Sequence, residues 1–114
     1  MKINSLNLLS TAVLALGVCA GAQAATSLSH QDSSFLKDAA EAGNAEVEGS
    51  KLAAAQSPSA DVKTFAQAMV DDHGKAGAEL KGLADQKGVK VSDTPSATKK
   101  LEIKILSERK GASF

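Results

Sequence analysis

Ser59-Ala60-Asp61-Val62-Lys63-Thr64-Phe65-Ala66-Gln67-Ala68-Met69-Val70-Asp71-Asp72-His73-Gly74-Lys75-Ala76-Gly77-Ala78-Glu79-Leu80-Lys81-Gly82-Leu83-Ala84-Asp85-Gln86 is the stretch that decides the fold. At about 100° per residue, Val62, Phe65, Ala66, Met69, His73, Ala76, Leu80, Leu83 and Ala84 fall on one stripe. Asp61, Asp71 and Lys75 lie on the opposite face. This is the clearest amphipathic pattern in the chain, and it predicts a helix from Ser59 to Gln86. Gly88 closes the helix, and Lys81 and Lys87 suit the negative end of its dipole.

Working back towards the N-terminus, Ser57-Pro58-Ser59 is a break. Pro58 disfavours helix at Ser57 and suits the first turn of a new one. Before the break, Phe35, Ala39, Ala42, Glu46, Gly49 and Ala53 form a second stripe, widened by Leu36, Val47 and Ala54. A helix is expected to start after Asp32 or Ser33, either of which can cap free N–H groups. Gly43-Asn44 lowers its propensity by about 1 kcal/mol. Towards the C-terminus, residues Val89 to Pro95 read as a linker. A third helix follows, with Thr94 as its cap and Leu101, Ile105 and Leu106 as an apolar edge among Lys99, Lys100, Lys104 and Arg109. No segment alternates as a strand does. The expected fold class is all-α: an antiparallel helical hairpin plus a third helix.

Composition narrows the function classes. Lys plus Arg and Asp plus Glu number 13 each, so the formal net charge is zero. That balance gives no footprint for nucleic acid, and no basic block to hold an anionic membrane. There is no Trp or Tyr, and Phe35, Phe65 and Phe114 are the only aromatics, so any core must be built from small residues.

The first residues carry an address. Lys2 is followed by an uncharged apolar run from Leu8 to Ala22 and by Ala22-Gln23-Ala24, the small-x-small pattern that signal peptidase cuts after. The run falls short of the roughly 20 residues of a spanning helix. The expectation is a signal peptide over 1–24, a polar leader over 25–31 with His30 solvated, and a helical domain over 32–114. The protein would be periplasmic or secreted, with no stable membrane insertion after signal removal. Cys19, the only cysteine, lies within the signal. A rival reading makes Leu16-Gly17-Val18-Cys19 a lipobox, although Val18 fits poorly where a small residue is usual.

Two polar residues interrupt the apolar stripes: Glu46 on the first helix and His73 on the second. With the chain folded back at Pro58, Glu46 stands about 17 Å and His73 about 21 Å from the turn, less than one helical turn apart in height. Carboxylate and imidazole are therefore expected close together. A buried, hydrogen-bonded pair would satisfy both groups. A metal site is a second reading, since bundle di-iron proteins use a Glu from one helix and Glu-x-x-His from the next. Here Val70 stands where that Glu belongs, and one Glu with one His is a short ligand set. In a third reading both residues reach solvent at the edge. No Gly-x-Ser-x-Gly elbow, phosphate loop or His-Glu-x-x-His run accompanies them.

Phe35, Ala39, Glu46 and Gly49-Ser50-Lys51-Leu52-Ala53, followed by Val62 to His73, resemble a secreted bacterial ferritin-like family of unknown function. Its members are often labelled exported or outer-membrane proteins. The resemblance covers residues 32–114 and rests most on the Phe-Ala-x-x-Met-Val-x-Asp-His run. It implies a four-helix ferritin-like bundle, places Glu46 and His73 at characteristic core positions, and carries a link to metal chemistry. The family pattern continues past Gly111-Ala112-Ser113-Phe114 with an Asp, a Tyr and a second Met-Val-x-x-His helix. The chain therefore reads as a truncated or frameshifted member, an incomplete bundle. The expected function is a non-enzymatic role in the bacterial envelope, with no cofactor assigned; the alternative is a ferritin-like metal or redox protein using Glu46 and His73. Helices that cover one another incompletely also predict self-association through the stripe of Phe65, Met69 and Leu80.

Overall fold

A computed structural model describes residues 27–114. The expected signal peptide, Cys19 and the start of the leader lie outside the described residues. Three helices follow in order: α1 (His30–Gln56), α2 (Ala60–Gln86) and α3 (Ala97–Ser107), with a short 3-10 turn at Gly111–Ser113. The fold is all-α, with no strand among the described residues.

The helix starts depart from expectation. α1 begins at His30, not after Asp32 or Ser33, so His30 is helical rather than part of a leader. The reason is a local motif: Ser29 Oγ accepts the Asp32 N–H at 3.1 Å, while its hydroxyl donates to Asp32 Oδ2 at 2.8 Å. Ser29 thus satisfies an N–H that would otherwise be orphaned, and an acid sits at the positive end of the dipole. α3 likewise takes Ser96 as its cap in place of Thr94, the Ser96 hydroxyl accepting the Lys99 N–H. Thr94 instead forms part of the turn before Pro95, with its N–H donated to Ser92 Oγ at 3.1 Å.

The break between α1 and α2 is a satisfied turn. Ser57 is buried, at 4 % exposure. Its N–H closes α1 on the Ala53 carbonyl at 2.9 Å, and its hydroxyl accepts the Ser59 N–H at 3.2 Å. Ser59 then caps α2 by accepting from the Val62 N–H. At the far end Gly88, with φ +69°, takes the left-handed conformation that closes α2. Val89 N–H reaches back to the Ala84 carbonyl at 2.8 Å.

α1 and α2, each 27 residues and about 40 Å long, pack against each other along their length. α3 packs on α1, its far end tied by Lys110 Nζ to Gln56 Oε1 at 3.0 Å. Among the described residues the buried apolar side chains on the helices are Leu36, Ala40, Ala66 and Ala84, and Pro95 of the linker is buried too. This corrects the stripes read from the sequence. Phe35 is 67 % exposed and Phe65 66 %, whereas the smaller residues beside them, Leu36 and Ala66, are inside. Alanine lets two helices approach closely, and a phenylalanine on the contact line would hold them apart. Each helix is therefore turned to place alanine at the seam and the aromatic ring at its edge.

Candidate functional site

Glu46 lies past the middle of α1 and His73 at the middle of α2, and the antiparallel hairpin brings the two side chains together. His73 Nδ1 stands 2.7 Å from Glu46 Oε2. The contact is an ion pair whenever the imidazole is protonated. It bridges a groove of about 280 Å³ whose sides include Ala39, Ala42 and Gly43 from α1 and Ala76, Gly77 and Leu80 from α2.

The pair is not buried as expected. The side chain of His73 is 34 % exposed and that of Glu46 48 %. The cause is the size of the neighbours: Ala42, Gly43, Ala76 and Gly77 are too short to roof the groove, and a Cβ added at Gly43 or Gly77 would meet nothing within 4 Å. A second hollow, between α1 and α3, is lined by Ala42, Ala45, Glu46, Ile103 and Leu106. Ala42 and Glu46 belong to both hollows, so Glu46 stands in an open trough with α2 on one side and α3 on the other. Exposed ion pairs contribute about 0–1 kcal/mol. His73→Ala is accordingly expected to lower stability by no more than about 1 kcal/mol in chemical denaturation, well short of the penalty for orphaning a buried carboxylate.

The donor set does not fit a metal ion on its own. Zinc and the first-row metals of helical bundles take three or more protein donors. Among the described residues no group of three His, Cys, Asp or Glu side chains converges. His30, at the start of α1, is exposed.

On the opposite side of the hairpin the linker crosses α1 and α2. Asn44 Nδ2 donates to the Ser92 carbonyl at 3.0 Å. Lys81 pairs with Asp93, and the hydrogen bond and charge of Asp93 raise the Lys81 pKa above its ordinary value. Sequence reasoning missed both ties. Asn44 counted there only as a weak helix former, yet its amide fixes the linker that delivers α3 to α1. Asn in a helix interior beside Gly43 was the available signal: a costly residue needs a partner outside its own helix.

The profile of a family described as Domain of unknown function (DUF4142) matches residues 17–114. No curated protein and no solved structure matches the chain.

Proposed function

The chain belongs to the DUF4142 family, a domain of unknown function, and we propose that it is an exported helical-bundle protein that acts in the bacterial envelope through its surface, without catalysing a reaction. One observation carries this reading. Large apolar side chains of all three helices are outside: Phe35 is 67 % exposed, Phe65 66 % and Leu101 58 %. Apolar groups held out of the core on ordered helices favour contact with a partner. The Lys2, Leu8–Ala22 and Ala22-Gln23-Ala24 pattern supports export, and the Phe65–His73 run supports a bacterial ferritin-like origin.

Expression of the whole chain in a Gram-negative host tests the reading. Intact mass of protein from the periplasmic fraction is expected to correspond to a chain beginning at Ala25. A mass retaining Cys19 with added acyl chains would replace soluble export by lipid anchoring, and an unprocessed cytoplasmic product would overturn export altogether.

A second reading, a ferritin-like metal or redox protein, is favoured by the 2.7 Å convergence of Glu46 and His73 in an open trough. It needs donors beyond these two. Elemental analysis of the same untagged protein separates the readings: stoichiometric metal that disappears in His73→Ala would favour the metal site over the surface role.

A further inference from the structure

Besides Phe35 on α1, exposed apolar residues form a patch on α2 and another on α3, and the two are bordered by charges of opposite prevailing sign. On α2, Phe65, Ala76 and Leu83 lie within about 20° of one line, with Met69 beside them. Asp72 and Glu79 border that line on one side, within about 40°, with Lys75 between them in sequence and further round the helix. Phe65 and Leu83 are 66 % and 46 % exposed. On α3, Leu101 and Ile105, one turn apart, are 58 % and 50 % exposed. The neighbouring row holds Lys100, Lys104 and, at the end of the helix, Glu108, so it is net basic; Lys100 Nζ also donates to Thr94 Oγ1 at 2.9 Å. The same asymmetry holds at larger scale. α1 and α2 together carry ten acidic against five basic side chains, whereas residues 97–110 carry five basic against two acidic.

From this complementarity we propose that two copies of the chain associate reciprocally, the Lys100/Lys104-flanked edge of α3 in each copy lying on the Asp72/Glu79-flanked stripe of α2 in the other. A second copy is the occupant that matches both patches at once. A basic partner would cover only the α2 stripe, and an acidic one only α3. In a two-fold dimer the same pair of complementary patches is used twice, so each apolar contact and each charge match counts double. Lengths agree: α3 has 11 residues, about 16 Å, and the stripe from Phe65 to Leu83 runs about 27 Å, enough to seat it. α3 packs on α1, and Phe65 and Leu83 at the two ends of the α2 stripe are exposed, so they can receive the other copy. The stripe and the third helix together, rather than the stripe alone, then define the contact. The proposal concerns this surface and stands whether or not the protein is exported.

Sedimentation equilibrium of the untagged protein, purified from cells expressing the whole chain, is the test, with circular dichroism confirming helicity. The expected result is a dimer with Kd on the order of 1 µM at low salt. Lys100→Glu with Lys104→Glu, and separately Asp72→Lys with Glu79→Lys, are each expected to raise Kd at least about tenfold, since each sets like charges against one another. Mixing the two reversed proteins is expected to restore association, because each α3 then meets an α2 of opposite sign. These positions are exposed, so the variants keep the monomer fold. A protein monomeric at all concentrations would overturn the proposal. So would a dimer indifferent to both reversals, a mixture that fails to re-associate, or a monomer that binds anionic vesicles instead.

Discussion

Ala84→Asp is expected to abolish cooperative unfolding and leave a chain with little fixed helix by circular dichroism. Ala84 is fully buried, at 0 % exposure, in the last turn of α2. A carboxylate there would be taken out of water in the seam, and it faces the negative end of the helix dipole. Uncompensated buried charges of this kind cost about 3–5 kcal/mol. Small domains hold only about 5 kcal/mol or a little more in reserve. Ala78→Asp supplies the control: Ala78 is exposed on the same helix, and the same chemical change there is expected to shift the denaturation midpoint only slightly. Equal effects at the two positions would show that α2 does not use Ala84 as its contact line with α1.

The importance of one alanine follows from how the core is made. Of the four buried apolar side chains on the helices described, three are alanine. Each buries little area, so the seam depends on close approach over its whole length rather than on a few large groups. That property also marks how far the sequence could be read. The turn at Ser57-Pro58-Ser59 and the stop at Gly88 follow from local stereochemistry, and the structure has them where the sequence places them. The convergence of Glu46 and His73 was legible too, because rise per residue fixes heights along a hairpin whatever the side chains do.

Rotation about the helix axis was not legible to the same degree. A periodicity argument weights each position by hydrophobicity and so pulls Phe35 and Phe65 towards the core. Packing weights positions by how near the axes can come, and this brings Leu36, Ala40 and Ala66 inside. The two criteria differ by about one residue, or roughly 100°. The same turn of α1 leaves Glu46 at the rim of the seam, which is why the pair forms yet stays half-exposed. Helix starts were misread for a different reason. Several cap-forming residues stand close together at each site: Ser29 precedes Asp32 and Ser33, and Ser96 follows Thr94. The choice among them depends on which N–H groups each can reach. The Asn44–Ser92 and Lys81–Asp93 ties depend on where the linker crosses the hairpin, which no local pattern encodes.

Leu36→Ala against Phe35→Ala resolves the rotation of α1 directly. Leu36 is 7 % exposed and the largest buried side chain among the described residues, while the adjacent Phe35 is 67 % exposed. Removing the leucine takes three carbons from the seam and leaves a space that rigid neighbouring helices close only in part. Leucine truncations in such settings cost about 2–5 kcal/mol, the spread set by how far the site collapses. The backbone of a hairpin this thin can yield, so the lower part of that range, about 2–3 kcal/mol, is expected. Phe35→Ala removes more carbon but takes it from water-exposed surface, and should cost about 0.5 kcal/mol or less. Urea denaturation at concentrations below self-association reads both. Were the phenylalanine the costlier loss, the stripe of Phe35, Ala39 and Ala42 would be the true contact line, Glu46 would turn inward with it, and the open trough beside His73 would close.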